Sequence, residues 1–169
     1  MLLNSNFREL NYSEKALQTE WYTHELNLLE KDSTIKMVAV GCHHSPYSNS
    51  TIVRYSQKVR DEFVQPFMKS SKCRLFVSGH AHNFQYFKDT AANKHFLVIG
   101  GGGGLLHKLN AGEPDELQDQ IHWNDEYRMF HFVRGIIIAH GLLLDIMMLG
   151  EDLTGPRSVY EVFISIDNH

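Results

Sequence analysis

The sequence predicts a mixed α/β (α+β) fold in a single unit spanning 1–169, and three observations carry that prediction. In the first half, hydrophobic periodicity alternates helix, strand, helix, strand, with connections of the length that parallel strands require. From about residue 84 onward, short apolar or alternating runs succeed one another between turn residues, the pattern of an antiparallel sheet. The length, 169 residues, suffices for one core and is too short for two comfortable domains.

Residues 13 to about 30, SEKALQTEWYTHELNLLE, read as the first helix. Asn11 or Ser13 can cap it, Glu14 suits the positive end of its dipole, and Leu17, Trp21 and Leu28 fall along one side. IKMVAVGC, 35–42, is a short apolar run of the kind covered on both faces of a sheet. A second helical pattern comes next in RYSQKVRDEFVQPFMK, 54–69, through Val59, Phe63 and Phe67, with Pro66 expected to kink or end it. RLFVSG, 74–79, reads as the next strand. FQYFK, HFLVIG, FHFVRGIIIA, LLLDIMML and VYEVFISID supply the antiparallel half, and the polar stretch from Lys108 to Asn124 reads as a long surface loop.

Composition excludes several function classes. A net charge of −4 with no basic stripe gives no nucleic-acid-binding signature. Cys42 and Cys73 form no Cys-x-x-Cys pair and define no disulfide framework. The apolar stretch 129–149 is long enough to span a membrane, but Arg134, His140 and Asp145 interrupt it. Its His140-Gly141 pair predicts two strands joined by a tight turn, so no membrane span and a soluble chain are expected.

Eleven histidines concentrate the chemistry. His24, His95, His131, His140 and His169 sit in patterns where a solvated or core histidine is expected. His107 and His122 flank the polar loop, with nothing in their spacing to recruit them. Two clusters differ: GCHHSPYSNS, 41–50, and SGHAHN, 78–83, each come directly after a buried strand. In an open α/β sheet, groups just past the carboxyl ends of strands face the crevice where ligands bind. Imidazoles gathered there can hold a metal ion, and Gly79 would let the backbone turn sharply into the His-x-His pair. The run GGGGG, 100–104, lacks the Gly-Lys-Ser/Thr ending of a phosphate loop and is expected to form a turn near the site mouth.

At these residues the sequence resembles the calcineurin-like metallophosphoesterase superfamily, in its purple acid phosphatase-like branch. HHSPYS at 43–48 is similar to the family's His-His-Pro-Pro-Tyr-Ser motif, and GHAHN at 79–83 to its Gly-His-x-His motif. Gln18 to Trp21 and the glycine run fit as well. The resemblance implies part of a metallophosphoesterase-type β-sandwich flanked by helices, acting as a metal-dependent phosphoric ester hydrolase. It implies two divalent or trivalent ions of Fe, Zn or Mn, and a phosphate ester as substrate. His43 and His80 would ligate one ion and His82 the other. The tyrosine four places on selects His43, whereas the local His-Ser-Pro string selects His44. With His43 as ligand, His44 becomes the catalytic or substrate-contacting group, and Tyr47 and Asn83 become substrate-binding. The family's Asp-x-His, Gly-Asp and Gly-Asn-His-Asp/Glu strings do not precede His43. The chain is therefore expected to be the C-terminal portion of a larger domain, with an N-terminal half as its missing partner and export dependent on a signal peptide upstream. The rival expectation is an inactive fragment or binding domain that keeps the histidines as structure.

Overall fold

In the computed structural model, which describes residues 1–110, 117–121, 128, 130–150 and 155–167, seven strands form two sheets. The first sheet has the order β1 (Val38–Cys42), β2 (Cys73–Ser78), β4 (Lys94–Ile99), β3 (Phe84–Asp89). The second is the antiparallel meander β5 (His131–Ile138), β6 (Gly141–Leu149), β7 (Pro156–Ser165).

The first helix, α1 (Tyr12–Lys31), begins in a capping box in which the Asn11 side chain accepts from Glu14 N–H and the Glu14 carboxylate accepts from Asn11 N–H. Its inward side is Tyr22 and Leu26. Leu17, Trp21 and Leu28, aligned as the sequence suggests, face outward instead and are 64%, 45% and 49% exposed. Tyr22 and Leu26 lie on the opposite side, so the stripe with the larger residues lost the competition for the core. The second helical stretch runs α2 (Gln57–Val59), a π-turn (Arg60–Val64), then α3 (Gln65–Lys69). Pro66 does not end it. The π-turn just before the proline lets Gln65 N–H reach the Arg60 carbonyl, so the chain continues past the donor that proline lacks.

The first sheet is the middle layer. On one face Tyr22, Leu26, Val59, Phe63 and Phe67 from the helices pack against Val40, Phe76, Phe96 and Val98. On the other, Leu75, Phe84, Tyr86 and Leu97 share an apolar cluster with Leu144, Ile146, Met148, Val162 and Ile164 of the meander. This is a β-sandwich with helices on one side, the architecture that the family resemblance implies. The meander contains the apolar stretch that is long enough to span a membrane, and it is a hairpin: Ile138 pairs with Gly141, and Arg134 faces Asp145 across the strands at 2.6 Å. Among the described residues no helix is long and apolar enough to cross a membrane.

Two expectations are corrected. β3 and β4 do not belong to the antiparallel half. β4 runs parallel to β2, and β3 returns antiparallel beside it at the edge of the first sheet. The stretch from Lys108 to Asn124 is not all surface loop either. Asp119 and Ile121 are tied down, with Asp119 accepting from Tyr86 N–H and Ile121 N–H and pairing with buried Arg128 at 2.6 Å. His122 and His169 lie outside the described residues.

Candidate metal centre

The topology brings three chain segments to one end of the middle sheet. β1 pairs parallel with β2 and β2 with β4, with Cys42 opposite Ser78 and Ser78 opposite Val98. The segments that leave these three strands therefore emerge at the same edge: His43-His44 after β1, Gly79 to His82 after β2, and the glycine run after β4. Gly79 N–H donates to the His43 carbonyl at 3.0 Å, which ties the first two exits together.

The turn after β2 is tight. Ala81 N–H donates to the Gly79 carbonyl and Asn83 N–H to the Ala81 carbonyl, two successive three-residue turns centred on His80 and His82. The left-handed residue is His80, at φ 64°, and not Gly79 as the sequence suggests. Holding a non-glycine residue there costs on the order of 1–2 kcal/mol, and such strain concentrates at ligand sites. Gly100 packs on this turn so closely that a Cβ there would lie 1.9 Å from the Ala81 carbonyl oxygen.

His43, His44 and His80 converge, with one ring nitrogen from each lying within 4.8 Å of the others. Their ring centroids are 4.6 to 4.9 Å apart. His43 Nε2 and His80 Nδ1 share a hydrogen bond at 3.0 Å. Tetrahedral zinc with Zn–N of roughly 2.0–2.1 Å separates its nitrogens by about 3.4 Å, so a small expansion would replace the shared proton with a cation. His44 Nδ1 contacts Ser5 Oγ at 2.9 Å, and Ser5 Oγ also accepts from His44 N–H. When His44 Nδ1–H donates to that hydroxyl, its Nε2 carries the lone pair. Burial, then the neighbouring imidazoles, holds His44 and His80 below the usual histidine range, so both rings are neutral at pH 7.

His82 does not join this group. Its Nδ1–H donates to the Leu105 carbonyl at 2.8 Å, and its ring stacks on His107 at 4.3 Å. Tyr47 and Asn83, expected to bind substrate, are buried. The Tyr47 ring packs against Phe96 and Phe87, with the Arg60 guanidinium 4.5 Å above it. Asn83 is fully buried; its amide donates to the His107 carbonyl, and its Oδ1 accepts from Gln85 Nε2. The Gln85 Oε1 accepts in turn from Asn49 N–H, so one buried amide chain joins the loop after β1 to the turn after β2. Sequence reasoning missed Ser5, Gln85 and His107. The signal for His107 was present in the glycine run, once β4 is recognised as a third parallel strand.

No protein-family model matches the chain, and no curated protein matches it. Solved structures do. GAP50, the anchor in the inner membrane complex of Plasmodium, superposes with a TM-score of 0.74 at 13% identity, over 99% of this chain and 49% of that one. The chain shares its fold with that structure. A dimetal phosphatase from Danio rerio superposes with a TM-score of 0.52 at 12% identity, over 89% of this chain and 38% of that one. The chain, whose fold is phosphoesterase-like, thus spans about half, or less, of the length of each of these structures. At such identities the likeness establishes the fold alone.

Proposed function

We propose that the chain contributes the histidine ligands of a metal-dependent phosphoric ester hydrolase. The observation that supports this reading is the convergence of His43, His44 and His80 at the ends of two parallel strands within a phosphoesterase-like fold. The donor set fits a metal. Three imidazole donors suit Zn or Fe better than Mn, which prefers oxygen ligands. When bound, such an ion polarises a phosphoryl oxygen and lowers the pKa of a bound water.

The chain's own residues would act around it. His43 and His80 hold the ion, and His44, braced by Ser5, either completes the triad of nitrogens or carries a proton beside it. His82 Nε2 carries the lone pair in the neutral ring, because Nδ1–H is committed to Leu105, and it would serve a second ion. Tyr47 and Asn83 hold the two histidine segments in position, and the phosphate ester meets the imidazoles. Among the described residues no carboxylate joins this cluster. A dinuclear centre would therefore draw acidic ligands from another segment, in keeping with the greater length of the structural neighbours.

The second reading, a binding or anchoring domain that keeps the histidines as structure, is favoured by the same all-histidine donor set and by the anchor among the structural neighbours. The zinc- or iron-loaded chain, assayed on p-nitrophenyl phosphate and its diester, separates the two. Turnover that requires the metal and is abolished in His43→Ala/His80→Ala is the expected result. A wild-type chain that takes up neither zinc nor iron would support the second reading instead.

A further inference from the structure

The stacked pair His82–His107 holds two imidazoles in opposite tautomers. His82 donates through Nδ1 to the Leu105 carbonyl, which leaves the lone pair of its neutral ring on Nε2. His107 accepts at Nδ1 from the His82 backbone N–H at 3.1 Å, which places the proton of its neutral ring on Nε2. The arrangement is pinned from three further directions. His107 N–H donates to the His82 carbonyl, the Asn83 amide donates to the His107 carbonyl, and the rings stack at 4.3 Å with 15° between their planes. Gly104 completes it, because a Cβ there would lie 2.5 Å from the His82 ring. One ring thus offers a lone pair, which suits a cation, and its neighbour offers a proton, which suits an anion.

His107 also follows the strand that ends beside the two histidine motifs, and it is tied to the turn that carries His80 and His82. The loop that carries it leaves β4 at the edge where His43 and His80 emerge, and it is partly open to solvent.

We infer that His107 is an oxyanion-contacting residue of this site, donating Nε2–H to a phosphate-type group, and not a metal ligand. The inference rests on the metal reading of the histidine cluster, and the test keeps the two apart. Zinc affinity and inorganic phosphate affinity of the zinc-loaded chain are measured by calorimetry for wild type, His107→Leu and His107→Gln. His107→Leu is expected to leave zinc affinity within about twofold and to weaken phosphate on the order of tenfold, the worth of one hydrogen bond to a charged group. His107→Gln, whose amide can restore a donor near Nε2, recovers most of that loss. Ring ¹⁵N shifts of the wild type, which need no variant to fold, place the proton on Nε2. Unchanged phosphate affinity in His107→Leu, a parallel fall in zinc affinity, or a proton on Nδ1 would each overturn the role of His107 alone. Failure of the wild type to bind zinc would overturn the metal reading and this inference with it.

Discussion

His80 carries the clearest conflict between local preference and position. Its left-handed φ of 64° is unfavourable for a side chain with a Cβ, yet that conformation is what turns the ring back toward His43. Because Gly accepts this backbone and Ala does not, His80→Gly should be more stable than His80→Ala by about 1 kcal/mol, although both lose the imidazole. Equal urea midpoints for the two variants would remove the argument from strain. His95 shows the opposite case, a histidine used wholly as structure. It is buried, accepts from Tyr86 Oη at Nδ1 and donates from Nε2 to Asn93 Oδ1, and burial together with the Lys88 and Arg74 charges pushes its pKa down to about 4. The unfolded value is near 6.5, so between these limits the unfolded chain binds more protons and stability falls as pH falls. The expected loss from His95 is about 3 kcal/mol across that window, with His44 and His80 adding in the same direction. An NMR titration of the His95 ring in the folded chain checks the cause; a midpoint near 6.5 would contradict it.

At the scale of elements, the parallel ends of β1, β2 and β4 explain why residues 43, 44 and 80 meet and why His107 stacks on His82. The glycine run packs on the second of these ends. Gly100→Ala should destabilise the fold by about 2 kcal/mol, since its Cβ would strike the Ala81 backbone, whereas Gly102→Ala, with open space around it, should change stability by less than about 0.5 kcal/mol. Equal melting curves for both would refute the packing described. Every strand in the described residues was legible in the sequence, because short apolar runs bounded by turn residues survive tertiary context. The sheet to which β3 and β4 belong was not. Periodicity marks a strand but not its partner, so assigning β4 to the antiparallel half concealed that the glycine run and His107 leave the sheet beside the two histidine motifs. The face of α1 was misread for a related reason. Two apolar stripes compete there, and Tyr22 and Leu26 won because they meet the buried Phe63 layer. The two histidine clusters were legible as a pair because each comes directly after a buried strand, but Ser5 and Gln85 act through hydrogen bonds that no spacing announces.

The whole molecule is a three-layer phosphoesterase-like fold in which helices and an antiparallel meander clamp one mostly parallel sheet. Its outer sheet face carries Phe132, Ile136, Ile138 and Phe163 in the open, with the Arg134–Asp145 pair set among them. The sheet order matters for chemistry because it alone decides that the histidines gather at one edge and not at two. We propose that this edge is a metal centre in which His43 and His80 hold the ion beside His44. Calorimetric titration of zinc into the wild-type chain and into His43→Ala/His80→Ala, with folding of both verified by circular dichroism, tests it most directly. Tight binding by the wild type and affinity weakened by more than about 100-fold in the double variant are expected; equal zinc binding by the two folded chains would overturn the metal centre.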